Sequence, residues 1–150
     1  MNRPRPPHQP RKRFGQNFLQ DASIIDRITA AVHPQSDEQL VEIGPGQGAL
    51  TAALLGSGCT LDVIELDRDL VPGLLANFSH TPGFTLHSAD ALNFDFSSLV
   101  ERTTAEPDHR DQRLRMVGNL PYNISTPLIF KLLENSSIIK DMHFMLQLEV

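Results

Sequence analysis

Apolar positions along the chain change from a helical repeat to short continuous runs. After Asp21, a candidate helix N-cap, apolar residues recur at three- and four-residue intervals as far as Val32, and Pro34 stops the pattern. Runs typical of buried strands follow at residues 40–43, 61–66 and 84–87, from Met116 onward, and at residues 142–146. Between them, the spacing predicts helices over residues 49–55, 68–78 and 126–133.

This alternation predicts an α/β fold with a parallel sheet, helices on both faces, and ligands at the carboxyl ends of the strands. Two segments fall outside the pattern. Residues 1–10 contain four prolines and predict an extended arm, and the polar residues 103–113 predict an exposed loop. The chain ends at Val150, directly after the fifth predicted strand, so we expect the sheet to be incomplete.

The composition is that of an ordinary globular domain, with 40% apolar and 21% charged residues over 150 positions. No apolar run approaches the roughly 18 residues of a membrane span, and the amino-terminal region lacks a signal-peptide core. Cys59 is the sole cysteine, which excludes an internal disulfide and a cysteine-based zinc cluster. We therefore expect a cytoplasmic protein with no membrane contact and no metal site.

The net charge of −5 is unevenly distributed along the chain. Five basic residues and no acid lie within residues 1–13, so the remainder holds 8 basic and 18 acidic residues. A basic arm on an acidic body indicates a local contact with a polyanion. The alternative is that the basic run is simply solvated, as most charge runs are.

A glycine-rich turn follows the first predicted strand and opens a helix. Residues 44–49 are Gly-Pro-Gly-Gln-Gly-Ala, which satisfies the G-x-G-x-x-G/A fingerprint of nucleotide-binding α/β folds. Glu65 lies 21 residues after Gly44, at the end of the next strand. A carboxylate there can accept hydrogen bonds from both ribose hydroxyls of a bound nucleoside. Glycine-rich turns without any cofactor also occur in such folds, so the motif alone leaves both interpretations open.

Two residues distinguish between the cofactors that such a turn binds. Pro45 removes one amide donor from the cradle that a pyrophosphate needs, and Glu42 would repel phosphate. S-adenosylmethionine carries an ammonium and a sulfonium but no phosphate. The electrostatics therefore favour S-adenosylmethionine over a nicotinamide dinucleotide.

Three aspartates follow the second and third predicted strands. Asp90 lies where a carboxylate could accept from the exocyclic amine of an adenine, although a strand-end aspartate is often a turn residue or N-cap. Asp67 and Asp69 are expected to begin the second helix, which is a structural role.

The segment Asn119-Leu120-Pro121-Tyr122 follows the fourth strand and suits methyl transfer to a planar exocyclic amine. The side-chain oxygen of Asn119 and a backbone carbonyl near Pro121 would accept its two N–H groups, and Tyr122 offers a face for stacking. The alternative is a proline turn with a surface tyrosine. None of the six histidines forms a convincing catalytic set.

Taken together, these motifs resemble those of the ribosomal RNA adenine N6,N6-dimethyltransferase family, of the small-subunit type linked to kasugamycin sensitivity. The matching stretches are RKRFGQNFL (11–19), VEIGPGQGALT (41–51), VIELDRDL (63–70), ADAL (89–92), GNLPYNISTPLIFKLL (118–133) and DMHFMLQ (141–147). The resemblance implies a Rossmann-like methyltransferase fold that uses S-adenosylmethionine to dimethylate two adjacent adenosines near the 3′ end of small-subunit rRNA. It also implies a basic flexible arm at residues 1–13 and a catalytic domain at residues 14–150.

The resemblance implies a role for each matching residue. Asn17, Leu19 and Asn119 would contact the cofactor, with Gly44 on its methionine side, Gly46 at a close backbone approach, Glu65 at its ribose and Asp90 at its adenine. Asn119, Leu120, Pro121 and Tyr122 would frame the target amine. Arg11, Lys12 and Arg13 would contact RNA phosphates. The implied partner is small-subunit rRNA in the pre-30S particle, bound by a monomer.

The chain departs from the family pattern in two places. Family members continue into further strands and a helical carboxyl-terminal domain, so we expect a catalytic domain truncated after its fifth strand. Leu148 occupies a position that is usually basic, which puts an RNA contact there in doubt. The alternatives are a large-subunit methylase of the antibiotic-resistance type, a non-catalytic ribosome-assembly factor, and a nicotinamide-dependent oxidoreductase.

Overall fold

Strands and helices alternate along the parts of the chain that the computed structural model describes, residues 21–101 and 112–146. The strands are β1 (Gln39–Ile43), β2 (Thr60–Glu65), β3 (Phe84–Ser88), β4 (Leu114–Leu120) and β5 (Ile139–Leu146). The helices are α1 (Ala22–Val32), α2 (Ala49–Leu55), α3 (Val71–Phe78), α4 (Ser97–Glu101) and α5 (Tyr122–Glu134). Short 3₁₀ turns occupy Ala91–Asn93 and Ser136–Ile138. No helix within these ranges is long and apolar enough to cross a membrane.

The five described strands form one parallel sheet in the order β3-β2-β1-β4-β5. The chain moves outward from β1 through β2 to β3, then crosses back to β4 on the other side of β1. Loops therefore diverge above the boundary between β1 and β4, which is where doubly wound sheets bind ligands. The predicted α/β class with a parallel sheet is confirmed.

Alternating side chains of the strands form two hydrophobic cores, one on each face of the sheet. Leu40, Leu61 and Val63 pack with buried residues of α1 and α2 on one face. Val41 and Ile64 pack with buried residues of α4 and α5 on the other. Because both faces are covered, the central strands are apolar along nearly their whole length, as the short continuous runs predict.

Helix α3 begins later than the spacing predicts. Pro72 lies in its first turn, where a missing N–H is tolerated, so the helix starts at Val71 rather than at residue 68. The predicted role of Asp67 and Asp69 as helix-starting residues is wrong. They form the preceding turn, in which the Asp69 N–H donates to the Asp67 carboxylate at 2.9 Å and the Leu70 N–H to the Asp67 carbonyl at 3.1 Å.

Other boundaries also differ from the sequence prediction. Helix α5 begins at Tyr122, four residues early, because Pro121 is its N-cap, and it continues through Pro127. Strands β4 and β5 begin at Leu114 and Ile139, before the predicted runs, and α4 was not predicted. The predicted arm at residues 1–13 and most of the predicted loop at 103–113 lie outside the described residues.

An arginine joins several elements at the amino end of the sheet. Arg115 of β4 is 7% exposed, and its guanidinium donates to Asp141 at 3.0 Å, to Glu38 at 2.8 Å and to the Val32 carbonyl at 2.6 Å. The hydrogen bond to Asp141 is the main cause of the raised pKa of Arg115. This end of the sheet is therefore closed by paired charges, and the opposite end carries the cleft described below.

We predict that a methyl group at Gly118 separates β4 from β1. A Cβ there would lie 2.6 Å from the backbone carbonyl oxygen of Ile43. Because β1 and β4 are hydrogen-bonded at this pair, the strands cannot move apart without weakening the sheet. Gly118→Ala should lower the free energy of unfolding by about 1–3 kcal/mol, measured by urea denaturation. Gly73→Ala is the matched control, because nothing lies within 4 Å of the added methyl and alanine favours the helix by about 0.5–1 kcal/mol. A Gly118→Ala protein as stable as the wild type would contradict the prediction.

Candidate active site

A cleft of about 430 Å³ opens at the carboxyl ends of the strands. Five of the residues singled out from the sequence line it, namely Gly44, Glu65, Asp90, Asn119 and Pro121. They come from the ends of β1, β2 and β4 and from the segment after β3, because the carboxyl ends of parallel strands meet at one edge of a sheet. The geometry brings these residues together, and their individual roles stay predictions.

Glu65, the last residue of β2, links two of the loops around the cleft. Its Oε1 accepts from the Gly46 N–H at 3.3 Å, and its Oε2 accepts from the Asp67 N–H at 3.0 Å. The side chain is 6% exposed, and burial raises the pKa of its carboxyl while the N–H donors of Asp67 and Gly46 oppose that rise. Gly46 has a φ of 59°, a conformation that costs a residue with a side chain more than it costs glycine. Gly46 therefore helps to hold the Glu65 carboxylate through its N–H, and its predicted close approach to the cofactor stays a prediction.

Asp90 is a helix N-cap that also lines the cleft, and its contact with an adenine amine stays a prediction. It is the N-cap of the 3₁₀ turn Ala91–Asn93, since its Oδ1 accepts from the Leu92 N–H at 3.0 Å. Its Oδ2 accepts from the side-chain Nδ2 of Asn93 at 3.3 Å. It also lines the cleft together with Ala91 and Leu92. Capping fixes the carboxylate in place without removing it from the cleft.

The segment from Asn119 to Tyr122 divides between the cleft and its surroundings. Asn119 is the penultimate residue of β4, where it pairs with β5, and it is 8% exposed. Both Asn119 and Pro121 line the cleft. The side chain of Leu120 is fully buried in the core beneath α5, and the half-exposed Tyr122 lies outside the lining. Asn123, which the sequence analysis did not select, lines the cleft instead.

The described residues that line the cleft carry four carboxylates and no lysine or arginine. The carboxylates are Glu65, Asp67, Asp69 and Asp90. Sequence reasoning missed Asp67 and Asp69 because it assigned them to a helix start, although their position directly after the end of β2 was a usable signal. Around this cleft, the local charge favours a cationic ligand over a phosphate-bearing one.

Glu42 does not belong to this acidic lining. It is 1% exposed beneath α2, and the Thr51 hydroxyl donates to its Oε1 at 2.5 Å. Burial raises the pKa of Glu42 to about 7, against the opposing effect of the Thr51 hydrogen bond and with a smaller contribution from the charge of Glu65. The sequence argument used the charge of Glu42 to disfavour a phosphate-bearing cofactor; in the fold, the four carboxylates that line the cleft supply that charge instead.

The remaining predicted site residues cannot be related to the cleft. Asn17, Leu19, Arg11, Lys12 and Arg13 all lie outside the described residues. Within residues 21–101 and 112–146, no group of histidine, cysteine, aspartate and glutamate side chains could hold a metal ion.

Comparison with known proteins identifies the family. The family model "Ribosomal RNA adenine dimethylase" matches residues 7–150. The chain belongs to the ribosomal RNA adenine dimethylase family. The resemblance inferred from the motifs is thereby confirmed for nearly the whole chain.

Other members of this family and of its fold are similar over most of this chain. The ribosomal RNA small subunit methyltransferase A of Pseudomonas savastanoi pv. phaseolicola is 61% identical over 143 residues, 95% of this chain and 50% of its own length. The solved structure of the 23S rRNA methyltransferase ErmE has a TM-score of 0.69 at 30% identity, covering 88% of this chain and 48% of that one. A dimethyladenosine transferase from Plasmodium falciparum has a TM-score of 0.68 at 26% identity, covering 85% and 42%. The chain thus spans about half the length of the curated relatives it matches.

We predict that Glu42 makes the protein less stable as the pH rises. Its pKa is about 7 in the folded state and 4.5 when exposed, so the folded state holds more protons between these values and loses stability as they are released. The loss is at most about 3 kcal/mol. Glu42→Gln keeps an acceptor for the Thr51 hydroxyl and should remove this dependence, so that the variant is more stable than the wild type at pH 8.

Urea denaturation between pH 4.5 and pH 8 measures this effect. The control is Asp37→Asn, which removes a carboxylate from an exposed position and should leave the wild-type profile unchanged. A Glu42→Gln profile that parallels the wild type over this range would show that the carboxyl of Glu42 ionises normally in the folded protein.

Proposed function

We propose that the protein transfers methyl groups from S-adenosylmethionine to N6 of two adjacent adenosines near the 3′ end of small-subunit rRNA, giving N6,N6-dimethyladenosine in a step of ribosome biogenesis. The observation that carries the proposal is the convergence of Glu65, Asp90, Asn119 and Pro121 on one acidic cleft. Family membership and the 61% identity to a small-subunit methyltransferase support it. Because the chain spans about half of that relative, the activity is proposed for the protein as a whole.

The chemistry of the cleft supports S-adenosylmethionine as the cofactor. Four carboxylates among the lining residues would repel a pyrophosphate and attract an ammonium and a sulfonium. In this proposal Gly44 lies along the methionine part, Glu65 accepts from the ribose hydroxyls and Asp90 accepts from the adenine amine. Asn17 and Leu19 add contacts from the QNFL stretch. When bound, the cofactor supplies an electrophilic methyl group.

The residues that follow β4 orient the accepting amine. The Asn119 side-chain oxygen and a backbone carbonyl in the Leu120–Pro121 segment accept its two N–H groups, which localises the lone pair of nitrogen toward the methyl group. The exposed ring of Tyr122 provides a stacking surface for the adenine. With the cofactor bound, attack of this nitrogen on the methyl group would release S-adenosylhomocysteine, and the methylated amine would lose its proton to solvent, so no dedicated base is required.

Binding of the RNA at this site involves contacts to its phosphates and unstacking of the target adenosine. Arg11, Lys12 and Arg13 bind backbone phosphates, which adds affinity without sequence discrimination. The target adenosine is unstacked into the cleft, at a cost of a few kcal/mol that is least in a single-stranded loop. We propose further that the protein acts in the cytoplasm, as a monomer, on RNA within the pre-30S particle.

A large-subunit methylase is the alternative that one observation favours. ErmE has the same fold over most of this chain at 30% identity, and its name specifies 23S rRNA. The small-subunit relative is twice as similar in sequence, which supports the small-subunit assignment. Primer extension on both rRNAs, after methylation of undermethylated ribosomes by the protein, distinguishes them: stops in small-subunit RNA are expected, and stops confined to large-subunit RNA would contradict the assignment.

We predict that Asn119→Ala impairs methyl transfer while leaving cofactor affinity nearly intact. The loss of a hydrogen bond that strengthens during the reaction should lower the rate by about tenfold to a hundredfold. Transfer of label from S-adenosylmethionine to undermethylated small subunits measures the rate, and calorimetry measures the affinity. Asn77→Ala, at an exposed position of α3, is the matched control and should behave as the wild type. An unchanged rate for Asn119→Ala would remove its assigned role.

A further inference from the structure

A half-buried ammonium connects the two walls of the cleft. Lys131 extends from α5 toward the segment that follows β3, and its Nζ donates to the carbonyl oxygens of Ala91 at 3.1 Å and Leu92 at 3.0 Å and also to that of Phe94. The same nitrogen lies 5.2 Å from the centre of the Phe96 ring. All three N–H donors of the ammonium therefore have backbone acceptors.

The carbonyls of Ala91 and Leu92 belong to the 3₁₀ turn that carries part of the cleft wall, and Phe94 is the residue that directly follows this turn. The amino end of the turn is held by the Asp90 carboxylate, and its carbonyl end is held by Lys131. Ala91 and Leu92, which lie between these two anchors, line the cleft beside Asp90. The carbonyl groups at the end of such a short turn have few intrahelical partners, so a charged donor there stabilises one placement of the turn.

Lys131 also belongs to the face of α5 that forms the opposite wall. Ile124 and Leu128 lie seven and three residues before it, on the same side of the helix, and both line the cleft. Burial lowers the pKa of Lys131, and the negative charges of Asp90 and Asp95 oppose that change. The side chain thus links the helix that follows Asn119 to the turn that begins at Asp90.

We propose that Lys131 is a positioning residue for adenine recognition: by holding the 3₁₀ turn against α5, it sets the Asp90 carboxylate where it accepts from the exocyclic amine of the cofactor. The inference rests on the proposed function, which assigns Asp90 to the adenine. A lysine that only stabilised the fold would affect every ligand of the cleft alike. A lysine that positions Asp90 changes how much the 6-amino group of adenine contributes to the binding affinity, and it affects the rest of the ligand less.

Calorimetry with two ligands separates these roles. The full chain is titrated with S-adenosylhomocysteine and with its counterpart in which hydrogen replaces the 6-amino group. In the wild type, loss of the amine should weaken binding about tenfold or more, as expected for a hydrogen bond to a charged acceptor. In Lys131→Met, binding of S-adenosylhomocysteine should weaken about tenfold, and loss of the amine should then cost only about two- to threefold.

Two further variants complete the comparison. Lys140→Met, at an exposed position of β5 where the ammonium lies 3.4 Å from Glu38, is the matched control and should keep the wild-type ratio between the two ligands. Lys131→Gln retains two N–H donors and should give an intermediate ratio, and it decides the question in the same way if Lys131→Met does not fold.

The outcomes are distinct for the inference and for the proposed function. Equal weakening of both ligands in the Lys131 variants, with the wild-type ratio preserved, would overturn the positioning role. A wild-type protein that binds both ligands equally would also overturn it, because Asp90 would then make no contact with the amine. A wild-type protein that binds neither ligand would instead contradict the proposed function.

Discussion

The buried carboxylate of Glu65 is the constraint on which the cleft depends. A parallel sheet brings the ends of its strands to one edge, but it does not determine how the loops beyond them are held. Glu65 accepts N–H groups from both the glycine-rich turn after β1 and the turn after β2, at Gly46 and Asp67. A carboxylate this deeply buried is costly without such donors, so the two loops and the acid stabilise one another. The result is a cleft whose two neighbouring loops are held in place by hydrogen bonds within the protein.

The two ends of the sheet use charge in opposite ways. At the amino end, Arg115 is surrounded by acidic partners and a carbonyl, and its charge is satisfied within the fold. At the carboxyl end, all four charged side chains among the described lining residues are acidic, and the ammonium of Lys131 donates to backbone carbonyls. Like charges left facing a cavity favour a ligand that brings positive charge. This contrast supports a sulfonium-bearing cofactor more directly than the glycine motif does.

Periodicity predicted the order of the main elements, because burial on both faces makes strands into short apolar runs and helices into three- and four-residue repeats. It failed where a proline begins a helix, as at the starts of α3 and α5, since the same residue read along the chain suggests a break. Strand ends located Glu65, Asp90 and Asn119 correctly at one edge. The sequence could not reveal Lys131, whose partners lie 37 to 40 residues away and meet it only through the packing of α5. The direction of the Tyr122 side chain likewise depends on where β4 gives way to α5.

The most direct test of this account is the affinity of Glu65→Ala for S-adenosylmethionine, measured by calorimetry against the wild type. Loss of the carboxylate should release both loops and remove the acceptor proposed for the ribose hydroxyls, weakening binding by about tenfold or more. Glu134→Ala, at an exposed position of α5, should bind as the wild type does. Circular dichroism establishes that each variant retains the fold. An unaltered dissociation constant in a folded Glu65→Ala protein would contradict the central role of this carboxylate.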